Sequence, residues 1–179
     1  MFELKKSFDK IGENAEISFP RKKLKTMRFI LRYVSRYFLD RFIILAPTNS
    51  FRIFFYKCMG LNIGTDVFIG DNVLFDRLFP EKITISDHSS IGDKCIITAH
   101  ANIPTSTPLS SLYPTRVQEV YIGRGVWVMP GCIIIPGVHI DDYSVVATGS
   151  VVTKNIPSAT LAGGVPAKVL KKLNIGKIE

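Results

Sequence analysis

Aliphatic residues recur at every sixth position in the second half of the chain. The repeated positions, all β-branched, are Ile122, Val128, Ile134, Ile140, Val146 and Val152. A helix would repeat its apolar face near 3.6 residues and a half-buried strand near two, so neither element explains this period. Six residues suit a short strand followed by a turn, and three such units form one triangular coil. The pattern therefore predicts a β-prism in which each coil buries the core of the next.

The same period occurs earlier in the chain, but it is interrupted twice. Its positions there are Ile63, Ile69, Ile85, Ile91 and Ile97. The segment 75–82 breaks the period and indicates an inserted bulge or short loop. The segment 103–121 has no six-residue pattern, and its three prolines and Ser/Thr cluster predict a loop that leaves the prism. Long loops in compact domains are usually functional.

Residues 21–45 have the apolar spacing of an amphipathic helix. The apolar positions are Met27, Ile30, Leu31, Val34, Tyr37, Phe38 and Phe42. Pro47 ends this helix, and a second helix is predicted from Phe51 to about Met59, closed by Gly60. Two interpretations stay open and are compatible. The pair covers the open end of the prism, as solenoids require, or its basic and aromatic residues contact a membrane surface.

Charge divides the chain into unequal parts. Residues 1–60 hold 13 Lys/Arg and 5 Asp/Glu, whereas residues 61–179 hold 10 of each. The net charge of +8 therefore belongs to the N-terminal third, which favours a local basic surface over a general polyanion binder, and no nucleic-acid partner is expected. We expect a basic helical segment at 1–60, a β-prism at 61–160 and a C-terminal helix and tail at 161–179.

Cysteine use and the absence of an export signal predict a cytoplasmic protein. The chain has an odd number of cysteines and no CxxC pair, which favours a reducing compartment; the three are Cys58, Cys95 and Cys132. No signal peptide is evident at the N-terminus. The apolar stretch 29–47 is interrupted by charged residues, so it is not predicted to span a membrane.

The run IGRGVWVMPGCIIIPGVHIDDYSVVATGSVVTKNIPSATLAGGVPAKVLKKL, residues 122–173, resembles the hexapeptide-repeat acetyltransferases. The resemblance covers roughly residues 61–173, and the tail motif VVTKNIP…AGGVPAKV is typical of the CoA-dependent members. It implies a mainly β fold, a left-handed parallel β-helix with N-terminal helices and a protruding loop. A short C-terminal helix is expected at about 166–173, with Pro166 in its first turn.

The stretch from Pro80 to His100 resembles the family pattern that ends in the catalytic histidine, which implies that His100 is the general base. A neutral imidazole in hydrogen-bond reach takes the proton of an acceptor hydroxyl during attack on a thioester. Asp76 is the first choice as its partner, and Glu81 is the other acid nearby. The chain departs from the maltose type of the family, which carries His-Pro-Leu in the loop, because it has Thr107-Pro108-Leu109 there.

The resemblance also implies a set of ligand-binding residues. The acetyl-CoA contacts expected from the family are Met129, Pro130, Ala147, Thr148, Thr153, Lys154, Lys168 and Lys171. The two last-named lysines would lie near the phosphates, which require positive charge. Glu81, Asn102 and Thr105 are the residues expected to bind the acceptor. Family members assemble as trimers with sites between subunits, so His100 of one chain would meet CoA held partly by the next.

These features predict an acetyl-CoA-dependent O-acetyltransferase that acts on a sugar hydroxyl, in surface polysaccharide biosynthesis, without a required metal. An N-acetyltransferase on an amino sugar is an open alternative, because an amine acceptor needs the same base. A non-catalytic trimeric β-helix scaffold is another. A carbonic anhydrase of this fold would need three convergent imidazoles. His88, His100 and His139 include no close pair in the sequence, so this zinc site is not expected.

Overall fold

The computed structural model describes residues 23–101, 107–113 and 116–176. The helices are α1 Lys23–Ile44, α2 Asn49–Met59 and α3 Leu109–Leu112, with a 3-10 turn at Pro80–Lys82. The strands are β1 Asn62–Ile63, β2 Phe68–Ile69, β3 Leu74–Phe75, β4 Ile83–Ile85, β5 Ser90–Ile91, β6 Ile96–Ile97, β7 Val120–Ile122, β8 Trp127–Val128, β9 Ile133–Ile134, β10 His139–Ile140, β11 Val145–Val146, β12 Val151–Val152, β13 Thr160–Gly164 and β14 Ala167–Lys172.

The strands form the three faces of a prism, which confirms the predicted parallel β-helix. One face has the order β1-β4-β7-β10, the second contains β2-β5-β8-β11, and the third has the order β3-β6-β9-β12. Each strand pairs in parallel with the strand of the same face in the next coil. Four coils are therefore stacked, and strands in neighbouring coils lie about 4.8 Å apart.

The six-residue period places one aliphatic side chain of every strand in the core. On the first face, Ile63 pairs in register with Ile85, which pairs with Ile122 and then Ile140. The aliphatic residues of the period from Ile122 to Val152 are fully buried. Each coil thus covers the apolar surface of the coil below it, and burial of this kind contributes about 25 cal/mol per Å².

Both interruptions of the period are present, but their bounds differ from those predicted. Phe75 is buried in β3 and completes the first coil, so the inserted segment begins at Asp76. The predicted loop 103–121 ends earlier, because Val120 and Tyr121 belong to β7, where Val120 pairs with Ile83. Within the described part of that loop, α3 forms a single helical turn.

Helix α2 covers the open end of the first coil, as the capping interpretation predicts. Its Tyr56 is buried against Phe75, with ring centroids 4.7 Å apart, and donates its hydroxyl hydrogen to the Val73 carbonyl oxygen at 2.7 Å. Asn49 donates its side-chain amide to the Val67 carbonyl oxygen and accepts from the Ile69 N–H. The helix therefore satisfies backbone groups that the terminal coil would otherwise leave unpaired.

The predicted C-terminal helix at 166–173 is wrong. Strand β13 pairs in parallel with β11, and β14 folds back on β13 as an antiparallel partner, so the segment extends the second face of the prism. Val165 and Pro166 form the turn of this hairpin, directly after Gly164, which has a φ of +103°. The backbone groups of β11 need a partner beyond the last coil, and an extended segment supplies one whereas a helix cannot.

Candidate functional site

Asp76 and His100 contact each other on one edge of the prism. The Nδ1 atom of His100 hydrogen-bonds to Oδ2 of Asp76, which also accepts the backbone N–H of Ala99 at 2.8 Å. The other oxygen of Asp76 accepts the N–H groups of Leu78 at 2.9 Å and Phe79 at 3.1 Å. All contacts of this buried carboxylate are therefore donors, which hold it in one orientation toward the imidazole.

The environment of Asp76 keeps its carboxylate ionised. Burial raises its pKa, but the hydrogen bond and charge of His100 and the N–H groups of Phe79 and Ala99 outweigh that effect, so the pKa is lowered overall. An ionised carboxylate only accepts hydrogen bonds, so the proton of the shared bond belongs to Nδ1 of His100. In the neutral ring Nε2 then carries the lone pair, which is the state a general base requires.

His100 lies at the root of the long loop. It follows β6 and forms an antiparallel bridge with Val117, while the N–H of Gln118 donates to the Ala99 carbonyl oxygen at 2.9 Å. The ring edge of His100 meets the ring of Phe79 at a centroid distance of 5.5 Å. Its side chain is 14% exposed, so the two chain segments enclose the imidazole but leave part of it open.

Helix α1 holds the segment that carries Asp76. Arg36 donates from Nε to the Met59 carbonyl oxygen at 3.0 Å and from Nη1 to the Leu78 carbonyl oxygen at 2.9 Å. Its Nη2 atom forms an ion pair with Glu81 at 3.1 Å. A second ion pair joins Arg77 to the buried Asp40 of α1 at 2.5 Å. No local pattern in the sequence predicts these contacts, because they join residues 23 to 45 positions apart.

Of the three residues expected to bind the acceptor, the structure describes only Glu81. Glu81 is 52% exposed, and its carboxylate contacts Arg36, so the acid that contacts His100 is Asp76. Asn102 and Thr105 lie outside the described residues. The role of all three in acceptor binding stays a prediction.

Four of the expected CoA contacts lie on a different edge of the prism from His100. We call the connections between the second and third faces the Met129 edge, comprising 70–73, 92–95, 129–132 and 147–150. Met129 and Pro130 lie one coil from Ala147 and Thr148, and the N–H of Gly149 donates to the Pro130 carbonyl oxygen at 3.0 Å. This edge and His100 are separated by the third face of the prism.

The other expected CoA contacts lie near the C-terminal end of the prism. Thr153 and Lys154 follow β12 on the same edge as His100, two coils further along, which is roughly 10 Å at the usual strand spacing. Lys168 and Lys171 are exposed on β14, where they pair with Gly163 and Leu161. The lysines expected on a helix therefore project from a hairpin at the end of the second face.

The other two histidines of the chain lie away from His100 and form no site with it. His88 occupies a turn between the first and second faces, with φ of +59°, and its Nδ1 lies 3.5 Å from an oxygen of exposed Asp66. His139 lies on β10, and its ring centroid is 6.0 Å from that of Tyr121. Among residues 23–101, 107–113 and 116–176 no group of three His, Cys, Asp or Glu side chains forms a candidate metal site.

Comparison with known proteins gives the family. Residues 119–154 match the model of the bacterial transferase hexapeptide, which comprises six repeats. The galactoside O-acetyltransferase of Lactococcus lactis subsp. lactis (strain IL1403) is 34% identical over 110 residues, which is 62% of this chain and 45% of the relative. The chain belongs to the hexapeptide-repeat acetyltransferase family. The prism of this family is the left-handed parallel β-helix.

Two further family members extend the comparison. A provisionally named lipopolysaccharide biosynthesis O-acetyl transferase, WbbJ of Escherichia coli (strain K12), is 33% identical over 120 residues, which is 60% of this chain and 61% of the relative. A galactoside acetyltransferase in complex with coenzyme A has the same fold, with a TM-score of 0.66, 24% identity and 82% of each chain covered. The chain spans about half the length of the curated relatives that it matches here.

Proposed function

We propose that the protein is an acetyl-CoA-dependent O-acetyltransferase that acts on a sugar hydroxyl. The observation that carries the proposal is the Asp76–His100 pair, in which an ionised acid holds the imidazole as a base at the root of the long loop. The names of the relatives support the reaction class, and WbbJ supports an acceptor in surface polysaccharide biosynthesis. The related fold solved with coenzyme A supports the donor.

The reaction is a direct transfer in this proposal. Nε2 of His100 takes the proton of the acceptor hydroxyl as its oxygen attacks the thioester carbonyl carbon. The new C–O ester bond forms, the C–S bond breaks, and the protonated His100 returns its proton to the departing CoA thiolate. Asp76 stabilises the imidazolium between these two steps without taking its proton. General-base help of this kind contributes roughly 10²–10⁴-fold to the rate.

The chain itself supplies the groups that would bind the donor. Backbone groups along the Met129 edge suit the pantetheine arm. Lys168 and Lys171 supply positive charge for the phosphates, with Lys154 as a third cation on the His100 edge. The described residues around His100 supply no zinc-type cluster, and the proposed step uses only proton transfer and carbonyl attack. A cytoplasmic location is part of this proposal, because three cysteines without a CxxC pair favour a reducing compartment.

We further propose that the active enzyme is a homotrimer. His100 and the Met129 edge lie on different edges of one prism, so a CoA molecule in the groove between two prisms would contact the Met129 edge of one chain and His100 of its neighbour. Light scattering of the purified protein tests the trimer directly. Co-assembly of His100→Ala chains with Ala147→Trp chains tests the shared site, since each variant alone is expected to lose activity, whereas a mixed interface should retain an intact groove.

Acetyl transfer from acetyl-CoA to a panel of sugars and sugar nucleotides tests the function. His100→Ala is compared with His139→Ala, a histidine on the first face outside the proposed site, and CoA affinity is measured for each. The proposal expects His100→Ala to bind CoA normally and to lose two or more orders of magnitude in turnover. Unchanged turnover would place the base elsewhere, and failure of the wild type to bind CoA would favour a scaffold. A preference for amino sugars would instead establish N-acetylation.

A further inference from the structure

Helix α1 presents a broad apolar face that nothing in the described structure covers. The face comprises Met27, Ile30, Leu31, Val34, Tyr37, Phe38, Phe42 and Ile44, continued by Leu45 directly after the helix, each between 43% and 77% exposed. At about 100° per residue these positions span roughly half of the helix circumference. Large contiguous apolar patches on a protein surface mark a contact with another protein or with a membrane.

Aromatic side chains continue this face onto helix α2. Phe42 stacks on Phe55 with a centroid distance of 6.0 Å, and Phe55 meets Phe54 edge-on at 5.5 Å. Phe54 is 59% exposed and Phe51, one turn earlier, is 55% exposed. The residues of α1 and these two phenylalanines form one surface, which we call the helical apolar face.

The electrostatic character of the two helices is uniformly positive. The segment 23–59 contains eight Lys/Arg and a single acid, Asp40. Asp40 is buried in its ion pair with Arg77, so it does not offset the surface charge. Arg36 and Arg52 pair with acids of the prism, whereas Arg32, Arg41 and Lys57 remain exposed. Residues 61–179 have no net charge, so this combination is confined to the helices.

We propose that the helical apolar face docks on a membrane surface rich in anionic lipids. Apolar and aromatic side chains enter the boundary of headgroups and acyl chains, and Arg and Lys contact the anionic headgroups. No helix in the described part of the chain is long and apolar enough to cross a bilayer, so the helices lie on the surface. The proposal does not depend on the chemistry assigned to His100.

A second copy of the chain fits the helical apolar face less well than an anionic membrane surface does. A helix–helix seam needs only a narrow apolar stripe, whereas this face covers about half of α1. Two such faces brought together would also oppose two sets of arginine and lysine side chains without an exposed acid between them. An anionic lipid surface matches both the width and the charge.

Vesicle sedimentation of the full chain tests the proposal. Vesicles of phosphatidylcholine alone are compared with vesicles that also contain phosphatidylglycerol, at low and high salt. The apolar variant is Leu31→Ser with Phe38→Ser, and the charge variant is Arg32→Glu with Lys57→Glu. Leu170→Ser is the matched control, because Leu170 is equally exposed, at 61%, but lies on β14. Circular dichroism melts establish that each variant is folded.

The wild type is expected to bind the anionic vesicles and not the neutral ones, with weaker binding at high salt. Each double variant should bind anionic vesicles at least about tenfold more weakly, and Leu170→Ser should bind like the wild type. The proposal is overturned if the wild type does not bind anionic vesicles, or if the apolar variant binds them as tightly as the wild type. A lower oligomeric mass of the apolar variant, with vesicle binding unchanged, would identify the face as a contact between copies.

Discussion

The carboxylate of Asp76 accepts a hydrogen bond from Nδ1 of His100 across 24 positions of the chain. This contact fixes the tautomer of the imidazole, so its loss should affect the reaction more than binding. We expect Asp76→Asn to lower kcat by roughly 10²-fold or more, because an amide can donate to Nδ1 and favour the wrong tautomer. Steady-state kinetics with acetyl-CoA, together with calorimetric CoA binding, measure the two effects separately.

Asp142→Asn is the matched control for that experiment. Asp142 also accepts a backbone N–H, that of Arg124 at 2.8 Å, but it lies in a turn between the first and second faces. Its substitution should change stability without a specific loss of kcat. Equal losses of kcat in both variants would mean that Asp76 contributes only to folding.

The fold was predictable from the sequence because a β-helix imposes the same requirement on every coil. Ile122 and Ile140 occupy equivalent inward positions on neighbouring coils, so the core appears as a period that can be counted directly. The end of the prism follows no such repetition. The tail with Lys168 was expected to be helical from local features, but its structure is determined by the unpaired edge of β11.

The site was predictable only in part. The family resemblance predicts His100 and Asp76 as catalytic residues, but their contact depends on how the inserted segment turns. Oδ1 of Asp76 binds the N–H groups of Leu78 and Phe79 and thereby shapes that turn. Arg36 was missed, because a basic residue in an amphipathic helix gives no sign of the distant carbonyl groups it will bind.

The lowered pKa of Asp76 predicts a pH-dependent contribution to stability. A group whose pKa is lower in the folded state stabilises the fold above its unfolded value, and that contribution is lost as pH falls through the folded value. We expect the difference in unfolding free energy between wild type and Asp76→Asn to be largest near neutral pH. It should shrink below about pH 4, the usual range for an unperturbed aspartate.

Denaturant unfolding of both proteins across this pH range provides the measurement. The unfolded chain binds more protons than the folded chain in the acidic range, so the wild type should lose stability more steeply than Asp76→Asn as the pH falls. Parallel curves of unfolding free energy against pH for the two proteins would show that the hydrogen-bond donors around Asp76 do not lower its pKa in the folded state. Asp142→Asn again serves as the comparison.

Arg36 should influence both stability and turnover through the inserted segment. Arg36→Ala leaves the carbonyl groups of Met59 and Leu78 without their donor, which should cost about 2 kcal/mol. It should also lower kcat, because the segment that presents Asp76 loses its attachment to α1. Arg36→Lys should recover only part of both effects, since lysine lacks the planar fork that binds several acceptors.

Arg32→Ala is the control for Arg36, because Arg32 lies one turn earlier on the same helix and is exposed. Thermal melts and kinetics of Arg36→Ala, Arg36→Lys and Arg32→Ala distinguish the loss of the Arg36 contacts from a change in the charge of the helix. A loss of stability in Arg36→Ala without any change in kcat or in the pH–rate profile would limit Arg36 to holding the helix.

The exposed lysines of β14 should bind the phosphates of CoA and not its acyl arm. Lys168→Ala with Lys171→Ala should weaken acetyl-CoA binding roughly tenfold, and the loss should diminish at high salt because it is electrostatic. Acetyl-pantetheine lacks the nucleotide phosphates, so its turnover should be the same in variant and wild type. Lys172→Ala removes a neighbouring exposed lysine and is expected to leave both substrates unaffected. Equal weakening of both donors by the double variant would instead indicate that the β13–β14 hairpin shapes the groove for the arm.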